Sequence, residues 1–174
     1  MNVDMVENEA LLRITVDDLT AVPPQLTQTP ALAARELFAW QLTNRIRRQH
    51  VPGWWPRKHL RWHNTATAVA RGHALDMLKR GYIGHTTPDN QTLAMRLQQA
   101  GLGSFLCAEN IGVAYGTNSE NNQNISEIYA AFLSQPLGIA NHRANLLNPL
   151  WAHTGIGLAF QPGGTLIMVQ LFLV

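Results

Sequence analysis

The sequence predicts an α+β fold: an α-β-α sandwich in which a small antiparallel sheet is covered by helices on both faces. Three observations predict it. Apolar residues recur at helical spacing in several separate segments. The segment Thr165–Leu173 is apolar on both faces, with Leu166, Met168 and Phe172 on one and Ile167, Val169, Leu171 and Leu173 on the other. A strand of that kind has to be covered on both sides. Finally, Gln161, Pro162, Gly163 and Gly164 form a tight turn after Ile156, Leu158 and Phe160, which makes these two strands antiparallel neighbours.

The elements follow in order. Residues 1–30 read as an N-terminal extension or linker, with Pro23, Pro24 and Pro30 spaced by polar residues. Within it, residues 11–16 suit a short edge strand as well as they suit a tail. The folded body, residues 31–174, opens with Thr29 as a helix cap and Pro30 in the first turn. Ala34, Phe38, Leu42 and Ile46, with Leu37 beside them, mark the apolar stripe of the first helix, which ends before Pro52 and Gly53. Trp54, Trp55 and Trp62 anchor the following loop. A second helix runs from a capping Asn64 to Arg80, with Ala66, Ala70, Ala74 and Leu78 on one face and Gly81 as its left-handed stop. A short third helix spans residues 92–100 and stops at Gly101. A fourth is capped by Asn124, presents Ile125, Ile128, Tyr129, Phe132 and Leu133, and ends at Pro136. The first strand carries Ile111, Val113 and Tyr115.

Composition narrows the function classes. At 174 residues and 46% apolar content, the chain is long enough for one domain with a real core. No run reaches the ~18 apolar residues of a spanning helix. The single cysteine, Cys107, allows no intrachain disulfide and reads as a small buried hydrophobe. Asp4, Glu7 and Glu9 stand where a secretory leader would be basic, so the chain either stays inside the cell or has lost its leader. Residues 35–80 hold most of the bases and only Glu36 and Asp76 as acids. That stretch offers a partner in an anionic surface, although solvated helix faces explain it as well. It lacks the aromatic interleaving of a nucleic-acid module, and no nucleic acid is expected.

Three polar residues stand at element boundaries beside apolar segments: His85 after the second helix, Glu109 at the entry to the first strand, and His142 after the fourth helix. Two imidazoles and a carboxylate suit a zinc site with a fourth position for water. They also suit metal-free chemistry, with Glu109 as base and a histidine as acid. Each has an ordinary role too: His85 in a turn, His142 as a cap of the helix that ends near Leu147, Glu109 as an acceptor for loop N–H groups. Arg143 would pair a carboxylate, Glu109 included. His50, His59, His63, His73 and His153 read as surface or core residues, with His153 a distant ligand candidate.

The order of LTNRIRRQH, LRW with ARGHALDM, RGYIGHTTPD, AENIGVAYG, NHRANLLNP and HTGIGLAF resembles the CAP superfamily: cysteine-rich secretory proteins, antigen 5 and pathogenesis-related proteins, and among them the bacterial, cysteine-poor branch. NHRANLLNP is similar to the family's His-Arg-Ala-Asn-Ile-Leu-Asn segment. The resemblance covers residues 31–174. It implies an α-β-α sandwich with a large cleft and a polar set of two histidines and two acids associated with a divalent metal. His85, Glu109 and His142 match three of these positions, and the second acid falls on Gln135, which cannot supply the charge. Phe132 stands where a tryptophan is common. The resemblance therefore implies cleft residues His85, Glu109, Gln135 and His142, with His85 and His142 as metal candidates for zinc and no cofactor required. Glu109 and His142 are the candidate catalytic residues. It also implies a secreted, extracellular protein whose leader is absent from this chain. The preferred function is binding of a small apolar or lipidic ligand, or a peptide, in that cleft. A metal-assisted, peptidase-like hydrolase and a structural cell-surface domain are the competing readings.

Overall fold

Thr29 and Pro30 start the first helix as expected: the Leu32 N–H donates to the Thr29 hydroxyl at 3.2 Å, and Pro30 occupies a first-turn position that needs no N–H. The structure, a computed structural model, describes residues 3–4, 29–55, 59–103, 106–116, 121–161 and 164–174. Its helices are α1 (Pro30–His50), α2 (Asn64–Arg80), α3 (Leu93–Gln99), α4 (Gln123–Ser134) and α5 (His142–Leu147). Its strands are β1 (Val3–Asp4), β2 (Arg61–Trp62), β3 (Cys107–Tyr115), β4 (His153–Phe160) and β5 (Thr165–Leu173), in the order β1-β3-β5-β4-β2. β5 pairs antiparallel with both β3 and β4, as the turn after β4 requires. β2 is a parallel edge on β4, with Arg61 opposite His153. Two residues are too short a run to show any alternation. The edge strand suggested at residues 11–16 lies outside the described residues, as do Pro162 and Gly163.

β5 is buried along its whole length, and its alternate residues enter two separate cores. Leu166, Met168 and Phe172 join Ile156, Leu158, Phe160 and the inward residues of α1, α4 and α5. Ile167, Val169, Leu171 and Leu173 join Ile111, Val113, the alanine face of α2 and Leu97 of α3. This is the α-β-α sandwich that the two-faced strand foretold. Each fully buried Leu, Ile or Phe contributes about 1.5–3 kcal/mol relative to exposure.

Helix α2 lies unusually close to β4. A Cβ at Gly155 would stand 2.3 Å from the Thr67 nitrogen, and one at Gly157 would stand 2.1 Å from the Arg71 nitrogen. Only glycine lets the helix backbone come so near. Ala66, Ala70 and Ala74 keep the facing side of the helix equally flat.

Several local expectations are corrected. The stripe of α1 is met in part: Ile46 is buried and Phe38 and Leu42 pack on the core, but Ala34 and Leu37 are exposed, while Leu32, Glu36, Ala39, Thr43 and Arg47 also face inward. Buried polar groups take core positions here because each is hydrogen-bonded. Glu36 accepts from the Leu158 N–H and from Arg71, and Arg47 donates to the carbonyls of Leu146 and Asn148. The cap of α2 is His63, whose Nδ1 accepts the Ala66 N–H at 3.3 Å, and not Asn64. Helix α4 starts at Gln123, so Asn124 sits inside its first turn rather than capping it. Asn141 caps α5, and His142 is the first helical residue.

Candidate functional site

Glu109 is the third residue of β3, and alternation along the strand turns its side chain to the same face as Ile111 and Val113. That side chain is only 2% exposed, so its charge needs partners, and it has two. Arg96 on α3 donates from Nη2 to Oε2 at 2.8 Å, and His85 donates from Nδ1 to Oε1 at 2.8 Å. The same guanidinium donates from Nη1 to the backbone carbonyls of His85 at 3.0 Å and Gln91 at 3.2 Å. One arginine thus fixes both the carboxylate and the loop that carries its histidine.

That loop is tied down at both ends. Gly81 stops α2 at φ 66°, and the buried His73 of α2 donates from Nε2 to the Gly84 carbonyl at 2.9 Å. At the far end, Thr87 accepts the Gln91 N–H at 3.0 Å, and Thr92 then caps α3. His85 itself stays open, with its side chain 54% exposed. With Nδ1–H committed to Glu109, Nε2 faces away from the carboxylate, and in the neutral ring it is a lone-pair acceptor.

His142 approaches from the opposite face of the sheet. Its ring stacks on Phe132 of α4 with centroids 4.7 Å apart, and its carbonyl accepts from Asn110 of β3 at 2.9 Å. Asn145 donates to the Asn110 side chain at 2.9 Å and to the Glu109 carbonyl at 3.4 Å, so α5 is stitched to the start of β3. Gln135, just past α4, meets His142 Nδ1 through its amide nitrogen at 2.9 Å. Burial, with the nearby charge of His85 second, pushes the His142 imidazole down to about 4. It is therefore neutral at ordinary pH.

The structure thus joins His85 to Glu109 directly and His142 to Gln135 directly, and the two imidazoles lie within electrostatic reach of each other. Arg143 is not the partner of Glu109: its guanidinium donates to the Gln135 carbonyl at 3.1 Å, and Arg96 takes the carboxylate. Sequence reasoning missed Arg96. Its signal is a base placed among Leu93, Leu97 and Ala100, on the apolar side of a short helix. Burial, followed by the charge of Glu109, raises the Cys107 thiol, which disfavours the thiolate a nucleophile would need.

A cavity of about 370 Å³ adjoins the cluster behind Arg96, lined also by Gly72, His73, Asp76, Thr87 and Gln91. His85, Glu109 and His142 do not line it. The candidate cluster and this cavity share only the arginine between them.

Residues 40–172 match the CAP family, described as the cysteine-rich secretory protein family. The chain belongs to that family. Solved structures agree on the fold of this CAP chain. An extracellular protein containing an SCP domain from Bacillus anthracis str. Ames is 28% identical, with a TM-score of 0.60 over 84% of this chain. This chain spans 44% of that protein's length. An outer surface protein from Borrelia burgdorferi is 20% identical, with a TM-score of 0.63 over 80% of this chain and 92% of its own. Among curated proteins none matches.

The divalent metal that the CAP fold implies does not fit these residues. Both Glu109 oxygens are occupied by Arg96 and His85, and the position of the second acid holds a neutral amide. Among the described residues, no three His, Cys, Asp or Glu side chains are grouped to hold an ion.

Proposed function

We propose that this CAP chain is an extracellular binding module in which His85, Glu109, Gln135 and His142 orient a small apolar or lipidic ligand, or a peptide. The observation that carries the reading is that the start of β3 anchors a histidine from each layer of the sandwich, His85 through the Glu109 carboxylate and His142 through Asn110, with the two imidazoles within electrostatic reach of each other. His85 is open to solvent, while His142 stacks on the buried Phe132, so a polar, accessible imidazole stands next to an apolar interior, a combination suited to a ligand with both characters. The extracellular placement draws on the Bacillus anthracis protein, and the fold's use at a cell surface on the Borrelia burgdorferi protein.

The test is thermal stabilisation of the full chain by a fatty acid, a sterol, a muropeptide and a set of short peptides. One class is expected to raise the melting temperature, with the effect lost in a His85→Ala, His142→Gln double variant. If no class stabilises the chain, or the double variant responds as the parent does, the reading fails.

One observation favours a hydrolytic second reading. Glu109, engaged on both oxygens, orients His85 and leaves Nε2 as a proton acceptor. Turnover of a peptide library by the parent and none by His85→Ala would support it.

The basic stretch lends less to an anionic partner than its composition suggests. Arg35 and Arg47 are buried, Arg71 pairs with Glu36, and Arg80 pairs with Asp89. Arg45, Arg48, Arg61 and Lys79 remain exposed among the described residues.

A further inference from the structure

We infer that Gln135 locks His142 into the tautomer that carries its proton on Nε2, making this imidazole a fixed hydrogen-bond donor for an acceptor oxygen of the ligand, a carboxylate or an amide carbonyl, rather than a metal ligand. The inference rests on the binding reading above and specifies the chemistry of its ligand.

The two ends of a Gln side chain are told apart by what they touch. Gln135 Oε1 accepts the backbone N–H of Arg143 at 3.3 Å, and a backbone N–H can only donate. If the amide were reversed, its NH₂ would face that N–H donor to donor. The amide nitrogen is therefore the end that meets His142 Nδ1, at 2.9 Å, and it donates there. A nitrogen that accepts a hydrogen bond carries no proton, so the proton of the neutral ring sits on Nε2.

The rest of the ring's surroundings keep this arrangement. The residue is 5% exposed, and Phe132 covers one ring face. Among the described residues its Nε2 has no hydrogen-bond partner. On Nε2 the proton is turned away from Gln135 and is the ring's one remaining donor. A metal ion needs a bare nitrogen. In the neutral form of His85 the assignment is reversed: Nδ1–H faces Glu109 and Nε2 is bare. The two imidazoles therefore present opposite faces to a ligand, one donor and one acceptor. The identity of residue 135 decides which face His142 shows, because a carboxylate there would accept from Nδ1–H and leave Nε2 bare.

The experiment is long-range proton–nitrogen correlation NMR on the full-length chain, followed by calorimetric titration with zinc. In the parent, His142 is expected to show a protonated Nε2 and a bare Nδ1. In Gln135→Glu the two are expected to exchange, and zinc affinity to rise by about 10–100-fold, the usual weight of a residue orienting a metal-bound histidine. A protonated Nδ1 in the parent overturns the inference, whether or not the variant folds. So does parent zinc affinity equal to that of Gln135→Glu. Acetate and N-methylacetamide then separate the two acceptor sources: movement of the Nε2 proton resonance with either one supports the donor role, and movement with neither overturns it. If the wider ligand panel fails while the Nε2–H tautomer is found, the binding reading falls and the tautomer stands.

Discussion

Arg96 and Glu109 form an ion pair sealed inside the protein: their side chains are 6% and 2% exposed, and the Nη2 to Oε2 distance is 2.8 Å. Removing one member leaves a buried charge without its counterion, which typically costs about 3–5 kcal/mol. Arg96→Met is expected to lose about that much in urea denaturation. Because Arg96 also holds the His85 and Gln91 carbonyls, amide exchange in residues 85–91 should accelerate in the same variant. A loss below about 1 kcal/mol, the weight of an exposed pair, would contradict this role.

Stability should fall as the solution is acidified from neutrality. His142 is pushed down to about 4, and His73 also lies below its ordinary value. For His73 the cause is burial, opposed by Glu109 and Asp76 and reinforced by Arg96. Both rings resist protonation more in the fold than in the unfolded chain, where an imidazole takes up its proton at about 6.5. Their stabilisation is therefore complete above about 6.5 and is lost as the pH falls, for His142 down to about 4. Melting temperatures measured from pH 7.5 to 4.5 should decline, and His142→Gln should flatten the decline. Equal slopes in parent and variant would remove His142 as a cause.

Gly155→Ala and Gly157→Ala should both destabilise the chain, because the added methyl would meet helix backbone rather than a movable side chain. Overpacking of this kind costs about 1–3 kcal/mol, occasionally more. Gly72→Ala is the control: its added carbon meets nothing within 4 Å. Denaturation midpoints of the three variants test the contrast, and equal midpoints would refute it.

Tyr129→Phe should cost about 1–3 kcal/mol. The Tyr129 hydroxyl donates to Gln170 Oε1 at 3.1 Å, while the Gln170 amide nitrogen donates to Thr43 at 3.0 Å and Thr154 at 3.3 Å. Thr43 and Tyr129 close the ring at 2.8 Å. Without the phenol, Gln170 Oε1 is stranded in the core. A neutral substitution, read from the same denaturation curves, would mean that another donor has reached that oxygen.

The sandwich was legible because β5 is written twice, once for each core, and no single-layer arrangement accommodates that pattern. Helix α2 was legible from its alanines. Helix α1 was legible at Phe38, Leu42 and Ile46 but not at Glu36, Thr43 and Arg47, which face inward against what composition argues and for reasons only their distant partners supply. His85, Glu109 and His142 could be named from motif order. Arg96 could not, since its role depends on α3 packing beside β3. The exchange of Arg143 for Arg96 as partner of Glu109 has the same origin: Arg143 follows His142 in the chain, but its guanidinium reaches the Gln135 carbonyl instead.

Arg47 reaches from α1 to the carbonyls of Leu146 and Asn148, at the trailing end of the short helix that begins with His142. His85 is anchored instead through Arg96 and the loop leaving α2. The two imidazoles are therefore the tips of a caliper, each jaw bolted to a different layer of the sandwich. A small slip of either layer past the sheet would therefore change the spacing of the two imidazoles.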